Sequence, residues 1–127
     1  MAWLVTEGRV LASAETAEGH RQKGRGLLGR DSVEGAFVLP GCRWVHTFGM
    51  RFPIDVAYLD ADGNVLKTER LARHRMGMPV WHARSVVEAE AGAFARWGLR
   101  VGDTVEIRAA GPPTETSSEP PTETSSD

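Results

Sequence analysis

GCRWVHTFGMRFPIDVAYLD, residues 41–60, crowds Trp, His, Phe, Met, Pro and Asp into one run, and its period decides how the chain folds. Before Pro53 the side chains alternate. Trp44, His46, Phe48 and Met50 share one parity and Arg43, Val45, Thr47 and Gly49 the other, which is the two-residue period of a strand with unlike faces. Proline has no N–H for a sheet ladder and holds the residue before it extended, so Pro53 marks an edge or a strand start. Residues 54–59 then read as a strand. Asp60, Ala61, Asp62, Gly63 and Asn64 turn the chain into Val65 and Leu66, which makes a β-hairpin with Gly63 at positive φ.

Outward from this hairpin, residues 1–5 and 10–12 read as two strands around Glu7 and Gly8. Residues 13–23 turn polar behind a cap at Ser13 or Thr16 and read as a short helix. Gly24, Gly26 and Gly29 punctuate a loop in which Leu27 and Leu28 tuck under the sheet. A strand over 36–39 ends at Pro40 and Gly41. Downstream, the basic run 67–78 reads as a solvated loop, 85–88 as a strand, and 91–97 as a short helix ending at Gly98. Gly102 and Asp103 turn into a last strand over 104–108. The sum is a mainly β fold, a compact antiparallel β-barrel or sandwich with one or two short helices.

A chain of 127 residues with 41% apolar content has room for one core. Residues 1–111 are read as that single β-rich domain. At Pro112 the composition changes to PPTETSSE followed by PPTETSSD. These repeats have no apolar side chain beyond proline to offset ordering entropy, so 112–127 reads as a disordered acidic tail. Of the 17 acidic residues four lie there, Glu115, Glu119, Glu123 and Asp127, and none of the 15 basic ones do. That leaves 13 acidic against 15 basic in the domain, a balance too even for a protein that coats nucleic acid. The lone Cys42 excludes an internal disulfide and fits a reducing compartment. The start MAWLVTEGRV lacks a basic region followed by a sustained apolar run, and no window has the apolar length of a membrane span. The expectation is a cytoplasmic monomer with no membrane partner.

Four blocks in order, GLLGR at 26–30, HTFGMRFPIDVAYLDADGNV at 46–65, VVEAEAG at 86–92 and GLRVGD at 98–103, resemble the bacterial and archaeal "domain of unknown function 192" family. The resemblance covers residues 12–107 and brings no established reaction. It implies a compact, mainly β domain, often carried behind a signal peptide or membrane anchor. Many members have Trp-Met followed by Lys-Asn where this chain has Phe48, Gly49, Met50 and Arg51, and Pro where it has Glu90.

No residue pattern names a reaction. The glycines of 24–29 lack the Lys-Ser or Lys-Thr of a phosphate loop. Asp60, Asp62 and Asn64 fall at calcium-loop spacing, but Val65 replaces the required Gly and Leu71 the closing Glu. Cys42 and His46, four apart on a strand, stand about 13 Å from each other, too far to share an ion. No cofactor and no metal are expected. Asp55, at the start of an apolar strand, needs a partner or solvent to escape a desolvation cost of several kcal/mol. The expected function is a non-catalytic module binding a small polar ligand or a peptide, with Arg43, Trp44, His46, Met50, Asp55, Arg73 and Trp81 as its contacts. One alternative is a small hydrolase or isomerase with His46 as base, held by Asp55. The other is a weak nucleic-acid binder using the basic run beside Trp81.

Overall fold

The computed structural model describes residues 2–17, 27 and 29–109. Its elements are β1 (Ala2–Thr6), β2 (Arg9–Thr16), β3 (Ala36–Pro40), β4 (Ile54–Leu59), β5 (Val65–Leu71), β6 (Ser85–Glu90), the short helix α1 (Ala93–Trp97) and β7 (Val105–Ala109). The strands form one sheet in the order β5-β4-β6-β3-β2-β1-β7. The fold is mainly β, as expected. One pair, β2 with β3, is parallel, so the sheet is mixed. It is not closed into a barrel. Its edges β5 and β7 instead meet at one end, where Val65 N donates to Asp103 O at 2.8 Å and Val105 N to Gly63 O at 2.9 Å.

All six residues of β4 are buried, because both faces of this inner strand are covered. Ile54, Val56 and Tyr58 join Phe37, Leu39 and Val86 in one core. Ala57 and Leu59 join Leu4, Val87 and Phe94 in the other, beneath α1. Fully buried side chains such as Ile54 and Phe37 contribute roughly 1.5–3 kcal/mol each.

Three expectations are corrected. Residues 43–50 form no regular strand, and the only bridge there pairs His46 with Met76. Residues 67–71 belong to β5 rather than to a loop, because an edge strand with one wet face carries polar residues freely. Ser13 to Thr16 complete β2 instead of starting a helix, held by β1 on one side and β3 on the other. The remainder of that helix, the glycines at 24 and 26, Leu28 and the tail over 112–127 lie outside the described residues. Leu27 is buried in the first core.

The turn after β4 follows its sequence. Gly63 has φ 87°, and Asp60 Oδ1 accepts from the backbone N–H of Asp62 and of Asn64, both at 2.9 Å. The Asn64 backbone bond leads the contacts that hold the Asp60 carboxyl below the usual carboxylate range. A Cβ on Gly63 would collide with the Val105 carbonyl oxygen. Gly63→Val is therefore expected to lower the stability by about 1–2 kcal/mol, since a β-branched residue at positive φ is strained. An unchanged midpoint in a urea titration would contradict this.

Candidate functional site

Two loops lie antiparallel over one face of the sheet, one running 41–53 from β3 to β4 and the other 72–84 from β5 to β6. Gly77 N donates to Val45 O at 3.0 Å, Val80 N to Arg43 O at 2.9 Å, Thr47 N to Arg75 O at 2.7 Å and His74 N to Thr47 O at 2.9 Å. Thr47, fully buried, ties them together. Its Oγ1 donates to Ala72 O at 2.6 Å and accepts from Arg75 N at 2.8 Å. Nothing in the sequence marked Thr47. A Cβ on Gly77 would meet Glu69 Oε2 at 2.8 Å and the Tyr58 hydroxyl at 3.0 Å, so that hydrogen-bonded pair would have to shift to admit a side chain.

In this irregular ribbon the alternation survives as far as Phe48. Val45 and Thr47 are buried, whereas Trp44 and Phe48 are exposed and His46 half-buried between them. The His46 ring lies 5.5 Å from that of Trp44 and stacks on Phe48 at 5.3 Å. Its Nδ1 accepts from Phe48 N at 3.3 Å. Trp44 Nε1 donates to Gly77 O at 2.7 Å, which fixes the indole across both loops. Met76 stands opposite His46. Met76, Met78 and Trp81 are all exposed, the last two at 70% and 73%. The methionines were missed in the sequence because their loop showed no period.

Met50 does not share this face. Gly49 turns at φ 80° and Met50 N bonds back to Thr47 O at 3.1 Å, which resets the parity and buries Met50 in the first core. Arg43 Nε donates to Ala83 O at 3.2 Å, and Arg51 pairs with Asp31 at 2.7 Å. Arg73 and Arg75 are exposed and have no ion pair among the described residues. Across 41–53 and 71–84 the sequence places five arginines, three of the chain's four histidines and no carboxylate. Cys42 packs partly buried against the first core.

Asp55 is elsewhere. It is buried, with Oδ1 accepting from Arg70 Nε at 3.0 Å and Oδ2 from the backbone N–H of Gly92 at 2.9 Å and of Phe94 at 3.2 Å. It thus anchors the start of α1 to β4 and β5. It also lines an open cleft of about 660 Å³ with Thr68, Arg70, Phe94, Leu99 and Arg100, which includes none of Trp44, His46 or Trp81. The structure brings Arg43, Trp44, His46 and Trp81 onto the two loops with Arg73, and leaves Asp55 apart. Among the described residues no three His, Cys, Asp or Glu side chains converge as metal ligands.

Glu88 carried no signal in the sequence. On β6 it lies opposite Phe37 and Val56, is 4% exposed, and its Oε1 has no hydrogen-bond partner among the described residues. Burial pushes its carboxyl up to about 7. Nearby, the Tyr58 hydroxyl donates to Glu69 Oε2 at 2.7 Å, and burial followed by that bond raises the phenol above its usual range.

A family model described as "Uncharacterized ACR, COG1430" (DUF192) matches residues 2–107. No curated protein matches the chain. Two solved structures share the fold. One is a protein of unknown function from Novosphingobium aromaticivorans DSM 12444, 19% identical, with TM-score 0.70 over 83% of this chain and 82% of that one. The other, from Sinorhizobium meliloti 1021, is called a "putative transcription regulator" and is 21% identical, with TM-score 0.71 over 84% of this chain and 91% of that one. No helix among the described residues is long and apolar enough to cross a membrane.

Proposed function

The chain belongs to the uncharacterised DUF192 family, and from its own geometry we propose that it is a non-catalytic binding module that takes an extended acidic peptide on the outer side of the paired loops. The outward row of Trp44, His46 and Phe48, flanked by Met76, Met78 and Trp81, carries this reading. Contiguous apolar side chains left in water mark interaction surfaces, and Trp, Met and Arg are enriched where interfaces bury most. A peptide is favoured over a small polar ligand because Met78 and Trp81 stand largely exposed to solvent. The partner's charge follows from the loops, which carry arginines and no carboxylate.

The hydrolase or isomerase alternative needs His46 and Asp55 in one cleft. Both Asp55 oxygens are committed to Arg70 and α1, and His46 stands among aromatic rings, so that reading has no pair. Nucleic acid is the competing partner, motivated by basic residues beside aromatics and by the name of the Sinorhizobium neighbour. It is less favoured, because the domain is close to neutral and Arg51 is already paired.

A synthetic Glu-Pro repeat peptide at millimolar concentration should raise the melting temperature of the chain carrying Glu115→Gln, Glu119→Gln and Glu123→Gln, whose own C-terminal carboxylates then do not compete, by mass action, and salt should weaken the effect. Trp81→Ser with Met78→Ser should abolish that shift while leaving the melting temperature of the free protein in place, since both side chains are exposed. No shift with peptide, or a shift only with a single-stranded oligonucleotide, would overturn the reading.

A further inference from the structure

We propose that the occupant of this loop face is the chain's own C-terminal repeat, docking in cis; the inference rests on the binding face argued above. The two segments are complementary in charge and chemistry. Residues 111–127 carry Glu115, Glu119, Glu123 and Asp127, no basic side chain, and two Pro-Pro pairs at 112–113 and 120–121. The loops carry arginines, histidines and exposed aromatics without a carboxylate. Proline rings dock on aromatic surfaces at little entropic cost, because a Pro-rich backbone is already restricted to an extended helix. Carboxylates spaced between the proline pairs meet guanidinium groups along the same track.

Register puts the tail's origin within reach. Arg70, Asp55, Ala89, Ala36, Ala14, Ala2 and Ala109 form one cross-strand row. The chain therefore leaves β7 at the same end of the sheet where β5 gives way to the 72–84 loop. At about 3.1 Å per residue, residues 110–127 could span ~55 Å. A domain of this length has a radius of gyration of about 13 Å, so either octapeptide can lie along Trp44, His46 and Trp81. A tethered segment sees the face at an effective concentration on the order of mM. A contact too weak to hold a free peptide at micromolar concentration is then still substantially occupied. The tail would screen an adhesive surface and yield it to a stronger acidic partner.

The test uses the full chain and the variant with Glu115→Gln, Glu119→Gln and Glu123→Gln, whose substitutions all lie outside the described residues. In amide and indole correlation spectra at low salt, the Trp44 and Trp81 indole signals should differ between parent and variant, and those of Trp3 and Trp97 should not. The difference should vanish at high salt and be independent of protein concentration. Identical low-salt spectra would overturn the inference. A difference that grows with protein concentration would also overturn it, since it would assign the contact to a second copy. If the spectra are identical but a Glu-Pro peptide still shifts Trp44 and Trp81, the binding face stands and only its occupant is wrong.

Discussion

The stability gap between Glu88→Met and the parent is expected to widen, in favour of the variant, by roughly 3 kcal/mol as pH rises from about 4.5 to about 7. The sign follows from burial. Glu88 is 4% exposed with Oε1 unpartnered among the described residues, and its folded-state value is raised from 4.5 to about 7. Between those two values the folded chain keeps a proton that the unfolded chain has released, so raising the pH favours unfolding. The parent's stability from this group is complete at and below the unfolded value, falls through the window, and is gone above about pH 7. Every other ionisable side chain is common to both proteins, so the difference between the two isolates Glu88. Methionine fills a similar volume without a charge. Urea titrations of both proteins across this window check it, and a gap independent of pH would place the Glu88 carboxyl in contact with water.

Asp55→Ala is expected to cost about 3 kcal/mol, the scale for leaving buried donors and one partner of an ion pair unmatched. Gly92 and Phe94 would both lose their acceptor, and α1 would lose its tie to β4. Asp55→Asn keeps one oxygen for those two N–H groups and should cost about 1 kcal/mol, mainly the pair with Arg70. That pair is discounted because the Arg70 side chain is 60% exposed. Neither change should alter peptide binding on the loop face. A loss of binding in Asp55→Asn at unchanged stability would return Asp55 to the functional site.

The parts of the fold legible in the sequence were those fixed by local chemistry. Pro53 and the Asp60 to Asn64 turn bracket β4 at its observed ends, and Gly98, at φ 71°, closes α1. What stayed hidden depends on partners far along the chain. Asp55 meets N–H groups 37 and 39 residues away, so its apolar setting signalled a need without naming the answer. Residues 85–88 read as a strand, but nothing in their local sequence said what covers the side on which Glu88 lies. Because the sheet carries a core on each face, its side lies in one core while Val87 and Ala89 lie in the other. The two-residue period correctly separated Trp44, His46 and Phe48 from Val45 and Thr47. It failed at Met50 because one glycine with positive φ is enough to reverse a parity. Met76 and Met78 acquire meaning only when the two loops are paired.

The most direct measurement titrates a Glu-Pro repeat peptide into the tail-neutralised chain, Glu115→Gln with Glu119→Gln and Glu123→Gln, and follows the four indole N–H signals. Trp44 and Trp81 sit on the proposed face, whereas Trp97 packs against Phe94 at 5.7 Å and Trp3 lies in β1, so the protein carries its own controls. Saturable shifts of Trp44 and Trp81 that high salt removes are expected, with Trp3 and Trp97 unmoved. Shifts confined to Trp97, beside the Asp55 cleft, or no saturable shift at any of the four, would contradict this.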